Sequence, residues 1–208
     1  MIENYEMIDN GHWYQSKITG EPMKYDENYI QYYTRMDNSM SKLRYNLILN
    51  HIGIFKSVLD VGYGDGNFLQ YCFNRDKICY GHDISNYPLP GGIDFVKNVG
   101  DVEVDVITFF DSLEHRTEKN LIPFLKTIQA KYIVVSLPWM HQSLGAEWFK
   151  TWKHRKENEH IHHFDYVGLI NILKEADFDL IYIGNEEDVI RKPVTYLPNI
   201  LTVIARKR

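Results

Sequence analysis

Asp60, Gly62, Gly64 and Gly66 fall on alternate positions, and a second acid, Asp83, follows seventeen residues after the last glycine. Glycines at that spacing let a chain bend sharply and let a ligand come close to the backbone. Where such a turn opens a helix, unpaired N–H groups and the positive end of the helix dipole meet the guest, so a carboxylate or phosphate suits the place. An acid at the tip of the following strand is where a Rossmann-type fold holds the two hydroxyls of a ribose. The pair together points to a nucleoside cofactor. Two further groups of residues could do chemistry. Asp111, Glu114 and His115 follow a later apolar run, and His141, His154, His160, His162 and His163 lie with Trp139, Trp148 and Trp152 in a stretch without a clean period.

The elements that must position these groups are short and alternate in type. Val58, Leu59 and Val61 make a strand buried on both faces, and residues 67–74 begin a helix. Residues 78–83 form a second strand, and a loop with Pro88, Pro90 and two glycines leads to a short third one at 93–96. Val104–Phe110 is a fourth strand, residues 117–128 a helix with Leu121, Leu125 and Ile128 inward, and residues 131–137 a fifth strand. A helix at 164–176 and strands at 180–183 and 200–205 complete the series, with 185–198 as a surface connection. Before the first strand, residues 1–55 are rich in aromatics and read as an N-terminal helical cap, with helices at 26–33 and 41–52.

The spacing G-x-G-x-G, with Asn at position 67, departs from the G-x-G-x-x-G of dinucleotide folds, and Asp65 inside the turn would repel a pyrophosphate. Leu59-Asp60-Val61-Gly62-Tyr63-Gly64-Asp65-Gly66 resembles the first motif of class I S-adenosylmethionine-dependent methyltransferases at every fixed position. Asp111 to His115 resembles the "LEH" ending of the fourth strand in the ubiquinone-biosynthesis O-methyltransferase type. Tyr25-Asp26-Glu27-Asn28-Tyr29 is similar to a start seen in small-molecule and sugar methyltransferases. Trp152 to Arg155 and Glu159-His160 are similar to a segment of phage and bacterial members of unassigned substrate.

The resemblance implies an α/β, Rossmann-like seven-stranded fold, mostly parallel with an antiparallel last strand. It implies one domain over 1–208, with the cap at 1–55, a cofactor core at 56–208 and segment 139–163 as a substrate lid. S-adenosylmethionine, with S-adenosylhomocysteine as product, would lie on Asp60, Gly62, Tyr63, Gly64 and Gly66. Asp83 and Ile84 would meet its ribose and Asn98 its adenine, with Phe110, Asp111, Leu113 and His115 closing the site. Tyr29, Trp139, Trp148, Trp152 and His154 would meet the acceptor. A histidine, His115, His141 or His160, would take the acceptor's proton. No metal is expected, since the histidine cluster at 160–163 has no cysteine or acid at the usual ligand spacing.

The acceptor reads as a small molecule or a sugar, methylated at oxygen or nitrogen. Two alternatives stay open. Ser136-Leu137-Pro138-Trp139 partly resembles the [DNS]-P-P-[YFW] motif of base and glutamine methylation, although Leu replaces the first proline and the segment follows the wrong strand. A binding protein that keeps the fold without turnover is the other. With 23 Lys and Arg against 28 Asp and Glu in 208 residues, the formal charge is -5, so no global basic field draws nucleic acid. Cys72 and Cys79 read as core thiols of a reducing cytoplasm, the host's if the chain is phage-encoded. No apolar run reaches the ~20 residues of a membrane span, and residues 1–10 lack a leader-like progression.

Overall fold

The computed structural model describes residues 2–21, 38–85, 87–193 and 196–208. A seven-stranded sheet forms the centre. Its strands are β3 (Ser57–Val61), β4 (Ile78–His82), β5 (Asp94–Phe95), β6 (Val104–Phe110), β7 (Ala130–Pro138), β9 (Phe178–Gly184) and β10 (Ile200–Lys207), in the order β5-β4-β3-β6-β7-β10-β9. The pairs from β5 through β7 are parallel, and β10 runs antiparallel to both β7 and β9. The expected sheet, with its reversed last strand, is therefore present.

Alternation along the strands sends successive side chains to opposite layers. Leu59, Ile107, Ile133, Val135 and Val203 pack against Leu169 and Leu173 of α5 (Tyr166–Glu175) and Leu125 of α3 (Ile122–Lys126). Val58, Val106, Val134 and Ile204 face the other layer, built by Tyr45 and Ile48 of α1 (Ser39–Ile52) and Phe68, Leu69 and Cys72 of α2 (Asn67–Phe73). A strand covered on both faces reads as a continuous apolar run, which is why these strands stood out in the sequence. Cys72 and Cys79 are both free and buried, and burial pushes both thiols above their ordinary range. No helix among the described residues is long and apolar enough to cross a membrane.

The beginning of the chain departs from expectation. Residues of the expected helical cap form strands β1 (Tyr5–Asp9) and β2 (His12–Gln15), joined in an antiparallel hairpin, and β8 (His162–Phe164) pairs with β2. Asn10-Gly11 is a strong two-residue hairpin signal, and Gly11 takes the positive φ of 82° that such turns demand. The helix expected at 41–52 is present as α1, whereas the one expected at 26–33, together with Tyr25 and Tyr29, lies outside the described residues.

Three other bounds shift for local reasons. In α3, Pro123 sits in the first turn and the Asn120 side chain accepts from the Ile122 N–H, so the helix starts later than the periodicity suggested. Residues 162–164 are drawn into β8, so α5 begins at Tyr166, capped by Asp165. Segment 139–163 is folded rather than open. It contains α4 (Gly145–Thr151), whose Phe149 packs with Ile2, Tyr5 and Met140 beneath the small sheet.

The hairpin is seated directly on α5. A Cβ added to Gly168 would stand 2.3 Å from the Gly11 carbonyl oxygen and 2.8 Å from the His12 nitrogen. Gly168→Ala should therefore destabilise the protein by ~1–3 kcal/mol through overpacking, although alanine is ordinarily about 1 kcal/mol better than glycine inside a helix. Urea unfolding reads the sign. A midpoint that stayed or rose would mean that the hairpin does not rest on this helix.

Candidate active site

The C-terminal ends of β3, β4 and β6 lie side by side, and each delivers one part of the site. After β3 the chain enters the glycine turn, with Gly62, Gly64 and Gly66 all at positive φ. Each glycine has its own reason. A Cβ on Gly62 would come 2.5 Å from Ser112 Cβ, and one on Gly66 would come 2.9 Å from Pro90 Cδ, whereas one on Gly64 would meet nothing within 4 Å. The turn is thus clamped at both ends and open in the middle. Ser112 Oγ donates to the Val61 carbonyl at 2.5 Å, which joins the end of β6 to the start of the turn.

Two carboxylates brace this turn from within. Asp65 accepts from the Asn67 backbone N–H at 3.0 Å and from its side-chain amide at 2.6 Å, organising the start of α2. Asp83, just past β4, accepts from the Gly64 N–H at 3.0 Å through one oxygen, and from the Ser85 N–H at 2.8 Å and hydroxyl at 2.5 Å through the other. Each carboxylate oxygen has two lone pairs, so the oxygen bound by Ser85 is filled and the one bound by Gly64 keeps one acceptor place for a ligand hydroxyl. Asp60 is buried beneath the turn and accepts from Thr108 Oγ1 at 2.6 Å. Burial pushes its pKa up to about 7, against the Thr108 hydrogen bond and the Arg44 charge.

Past β6, Asp111 takes a positive φ of 53° and meets two guanidiniums. Arg191 of α6 (Asp188–Arg191) forms a two-pronged ion pair with it, and Arg44 of α1 approaches to 3.5 Å. Arg44 is also paired with Glu187 through two bonds of 2.7 and 3.0 Å, and Arg191 reaches Glu187 at 3.1 Å. Glu187 is fully buried. Burial pushes the Asp111 pKa up, but the charge and hydrogen bonds of Arg191, joined by the Arg44 charge, outweigh it and hold the carboxyl below its ordinary range.

Beside this network, the turn Leu113–His115 carries Glu114 and His115 against His160 of the folded segment. The Ile161 N–H donates to the Glu114 carbonyl at 2.9 Å, and His115 Nδ1 is 2.9 Å from the Glu159 carbonyl oxygen. The rings of His115 and His160 meet edge to face at 4.8 Å. The Glu114 carboxyl is only 1% exposed, and neither of its oxygens has a hydrogen-bond partner. Burial, then the Asp111 charge, raises its pKa well above the ordinary value. His115 and His160 are pushed down by burial.

Residues 32–183 match the family described as "Methyltransferase domain". The chain belongs to that family. No curated protein sequence matches it. Among solved structures, it is similar to 1,6-didemethyltoxoflavin-N1-methyltransferase of Burkholderia thailandensis, solved with 1,6-didemethyltoxoflavin and S-adenosylhomocysteine, at 14% identity and TM-score 0.62, covering 98% of this chain and 99% of that one. A SAM-dependent methyltransferase of Archaeoglobus fulgidus gives 20% identity and TM-score 0.61, over 88% and 100% of the two chains. Magnesium protoporphyrin IX methyltransferase of Synechocystis, with S-adenosylhomocysteine bound, gives 13% identity and TM-score 0.61, over 88% and 96%. The shared fold is the Rossmann-like methyltransferase fold.

Within this methyltransferase domain, the residues named from sequence separate into groups. Asp60, the three glycines and Asp83 are gathered at the turn. Leu113, His115 and His160 are gathered beyond β6, with His154 next to them, its ring stacked 6.5 Å from His160 and its Nε2 2.9 Å from the Asn199 side-chain oxygen. His141 stands in a different group, bonded to the Pro198 carbonyl at 2.7 Å and set between Trp139 and Trp148. Trp139 donates to Asp165, and Trp148 stacks on Trp152 at 5.4 Å.

Other side chains named from sequence have partners of their own or face outward. Tyr63 is buried with its hydroxyl on the Tyr87 carbonyl, so only its backbone is left to a ligand. Phe110 is buried against Phe68 with Arg44 over its ring at 4.1 Å. Ile84 is 78% exposed, and the exposed Asn98 bonds Asp101.

The stretch 185–198, expected to be a surface connection, instead supplies Glu187 and Arg191, which pair with Arg44 and Asp111. Asp188 caps the start of β10, accepting from the Asn199 and Ile200 N–H groups at 2.8 and 3.0 Å. Arg44 was also missed as a site residue, and Glu114, part of the LEH ending and grouped from sequence with Asp111 and His115, was given no contact of its own.

Removing Arg191 leaves Glu187 and Asp111 sharing one guanidinium, so Arg191→Leu should cost ~3–5 kcal/mol at neutral pH. Asp111 has a lowered folded-state pKa, so its contribution is complete above the unfolded value of 3.8 and is lost as the pH falls from there through the folded one. The stability gap between the native chain and Arg191→Leu should therefore narrow below pH 3.8 in chemical-denaturation series. A gap independent of pH would exclude this pairing.

Proposed function

We propose that this chain binds S-adenosylmethionine and transfers its methyl group to an oxygen or nitrogen of a small molecule or sugar. The observation that carries the reading is the open glycine turn braced by Asp83. Of the turn's three glycines, Gly64 alone has free space above it, and its N–H is the one that Asp83 accepts from. The residues fit the cofactor: Gly62 to Gly66 would receive its amino-acid tail and Asp83 a ribose hydroxyl. When bound, S-adenosylmethionine supplies a methyl group on a sulfonium, which is open to in-line displacement.

The chain's own work is alignment and exclusion of water. The aromatic segment 139–163 and the small sheet stand on the side of Glu114 and His115, and we assign them to covering the acceptor. Its polar contacts there would come from Glu114, His115 and His160, with Arg191 and Asp111 holding the floor. His141, committed to the Pro198 carbonyl, is left out of this set. Two of the similar enzymes named above carry the names of 1,6-didemethyltoxoflavin and magnesium protoporphyrin IX, which supports a small-molecule acceptor.

Calorimetry with S-adenosylhomocysteine tests the placement. Asp83→Ala removes a charge-assisted hydrogen bond of roughly 1.5–3 kcal/mol, so affinity should fall about ten-fold or more. Equal affinity in the two proteins would move the cofactor elsewhere. Transfer of labelled methyl to members of a hydroxyl and amine acceptor library then checks turnover.

A further inference from the structure

We propose that Glu114, His115 and His160 together hold one divalent first-row transition-metal ion beside the end of β6. Each offers one ligand atom, and the three atoms lie within 4.8 Å of one another. Three separate features of the geometry support a cation there. Both Glu114 oxygens are buried and unpartnered, and so is Nδ1 of His160, itself only 5% exposed. Buried polar groups are nearly always satisfied, and an unpaired buried carboxyl calls for an occupant. The second feature is the orientation of His115. Its Nδ1 is engaged by the Glu159 carbonyl, so the proton sits on that nitrogen, and Nε2 lies 3.9 Å from Glu114 Oε1. A ring N–H given to a backbone carbonyl is how metal-bound imidazoles are commonly aimed. Third, the backbone bond from Ile161 to Glu114 fixes the approach of the segment that brings His160.

The donor set selects the ion. Two imidazoles and one carboxylate suit Zn²⁺, Fe²⁺, Co²⁺ or Mn²⁺, whereas Ca²⁺ and Mg²⁺ favour oxygen alone. Bonds of ~2.0–2.2 Å in a tetrahedral site place ligand atoms about 3.4 Å apart, so closure needs side-chain shifts of roughly 1 Å. Three protein ligands leave a position open, as in catalytic metal sites. An acceptor hydroxyl would fill it, its oxygen becoming a ligand as its proton leaves to water. That last role rests on the methyl-transfer reading, and it makes the acceptor an alcohol or phenol. It also replaces a free histidine base with imidazoles acting through the ion. The acid missing from the ligand spacing around His160 is supplied from far along the chain, by Glu114.

The test uses the full chain, stripped with a chelator, dialysed and titrated with Co²⁺, then with Zn²⁺ as competitor. One equivalent of Co²⁺ should bind, with visible ligand-field bands and no near-ultraviolet thiolate band. Proton NMR of the Co²⁺ form should show two shifted imidazole signals. Glu114→Gln and His160→Ala should each weaken Co²⁺ binding at least ten-fold, while His51→Ala leaves it unchanged. S-adenosylhomocysteine binding, followed separately on every preparation, reports folding and the cofactor reading apart from the metal. Absence of saturable Co²⁺ binding by the unsubstituted chain overturns the proposal. So does equal Co²⁺ affinity in folded Glu114→Gln and His160→Ala. If those variants fail to fold, the NMR of the unsubstituted chain decides, and a bound ion without two shifted imidazoles overturns it as well.

Discussion

Two guanidiniums and two carboxylates share the space beyond the end of β6, paired with one another. Glu187 is fully buried and Arg44 and Arg191 nearly so, and charges in that setting are tolerated only when paired. Their pairing fixes more than itself. Arg44 comes from α1, before the sheet begins, and Arg191 and Glu187 come from α6, just before its last strand. Asp111 comes from the middle, where its positive φ turns the chain off β6. The four charges therefore tie three distant segments to one point beside the glycine turn. The Ser112 bond to Val61 and the exclusion of any Cβ at Gly62 then hold the turn against that point.

The central sheet was legible because its inner strands, β3, β6, β7 and β10, are covered on both faces and so largely apolar. Val58 and Leu59 point to opposite layers, yet both layers are dry, so pattern and burial agree. The glycine turn was legible for a related reason: its residue types answer to local backbone geometry alone. The N-terminal hairpin was not read. Its side chains, from Tyr5 to Gln15, are aromatic and mixed, and what makes them a sheet is β8, which lies some 150 positions later. Only Asn10-Gly11 spoke locally for a hairpin. The charge network escaped for the same cause, since a buried ion pair is a property of two positions and neither Arg44 nor Arg191 marks itself in isolation.

The histidines illustrate how one residue type divides between packing and chemistry. His12 and His162 share a ring-to-ring hydrogen bond of 2.8 Å, and His12 stacks on Phe164 at 4.2 Å. Burial first, and then neighbouring charges, hold His12 and His163 at about 3, and burial lowers His162 to about 4 against the hydrogen bond and charge of Glu118. At neutral pH all three are neutral aromatic rings of the small sheet's core. Their clustering in the sequence, which suggested ligands, reflects the alternation of a short strand that is buried on both faces.

His115 and His160 differ from these in what surrounds them. Their neighbours are an unpartnered carboxyl and a row of charges, not phenylalanines. Glu114 stands next to a network in which the other carboxylates each meet a guanidinium, but no hydrogen bond of that network reaches it: Arg191 gives its hydrogen bonds to Asp111, and only its charge acts on Glu114. A fold able to satisfy two buried acids with two arginines could have satisfied a third, or replaced it with an apolar side chain at little cost. Keeping Glu114 buried, adjoining two imidazoles and without a hydrogen bond, costs stability. A cost of that kind at the end of a central strand, beside a turn built to admit a ligand, is where strain or unmet polarity serves a site.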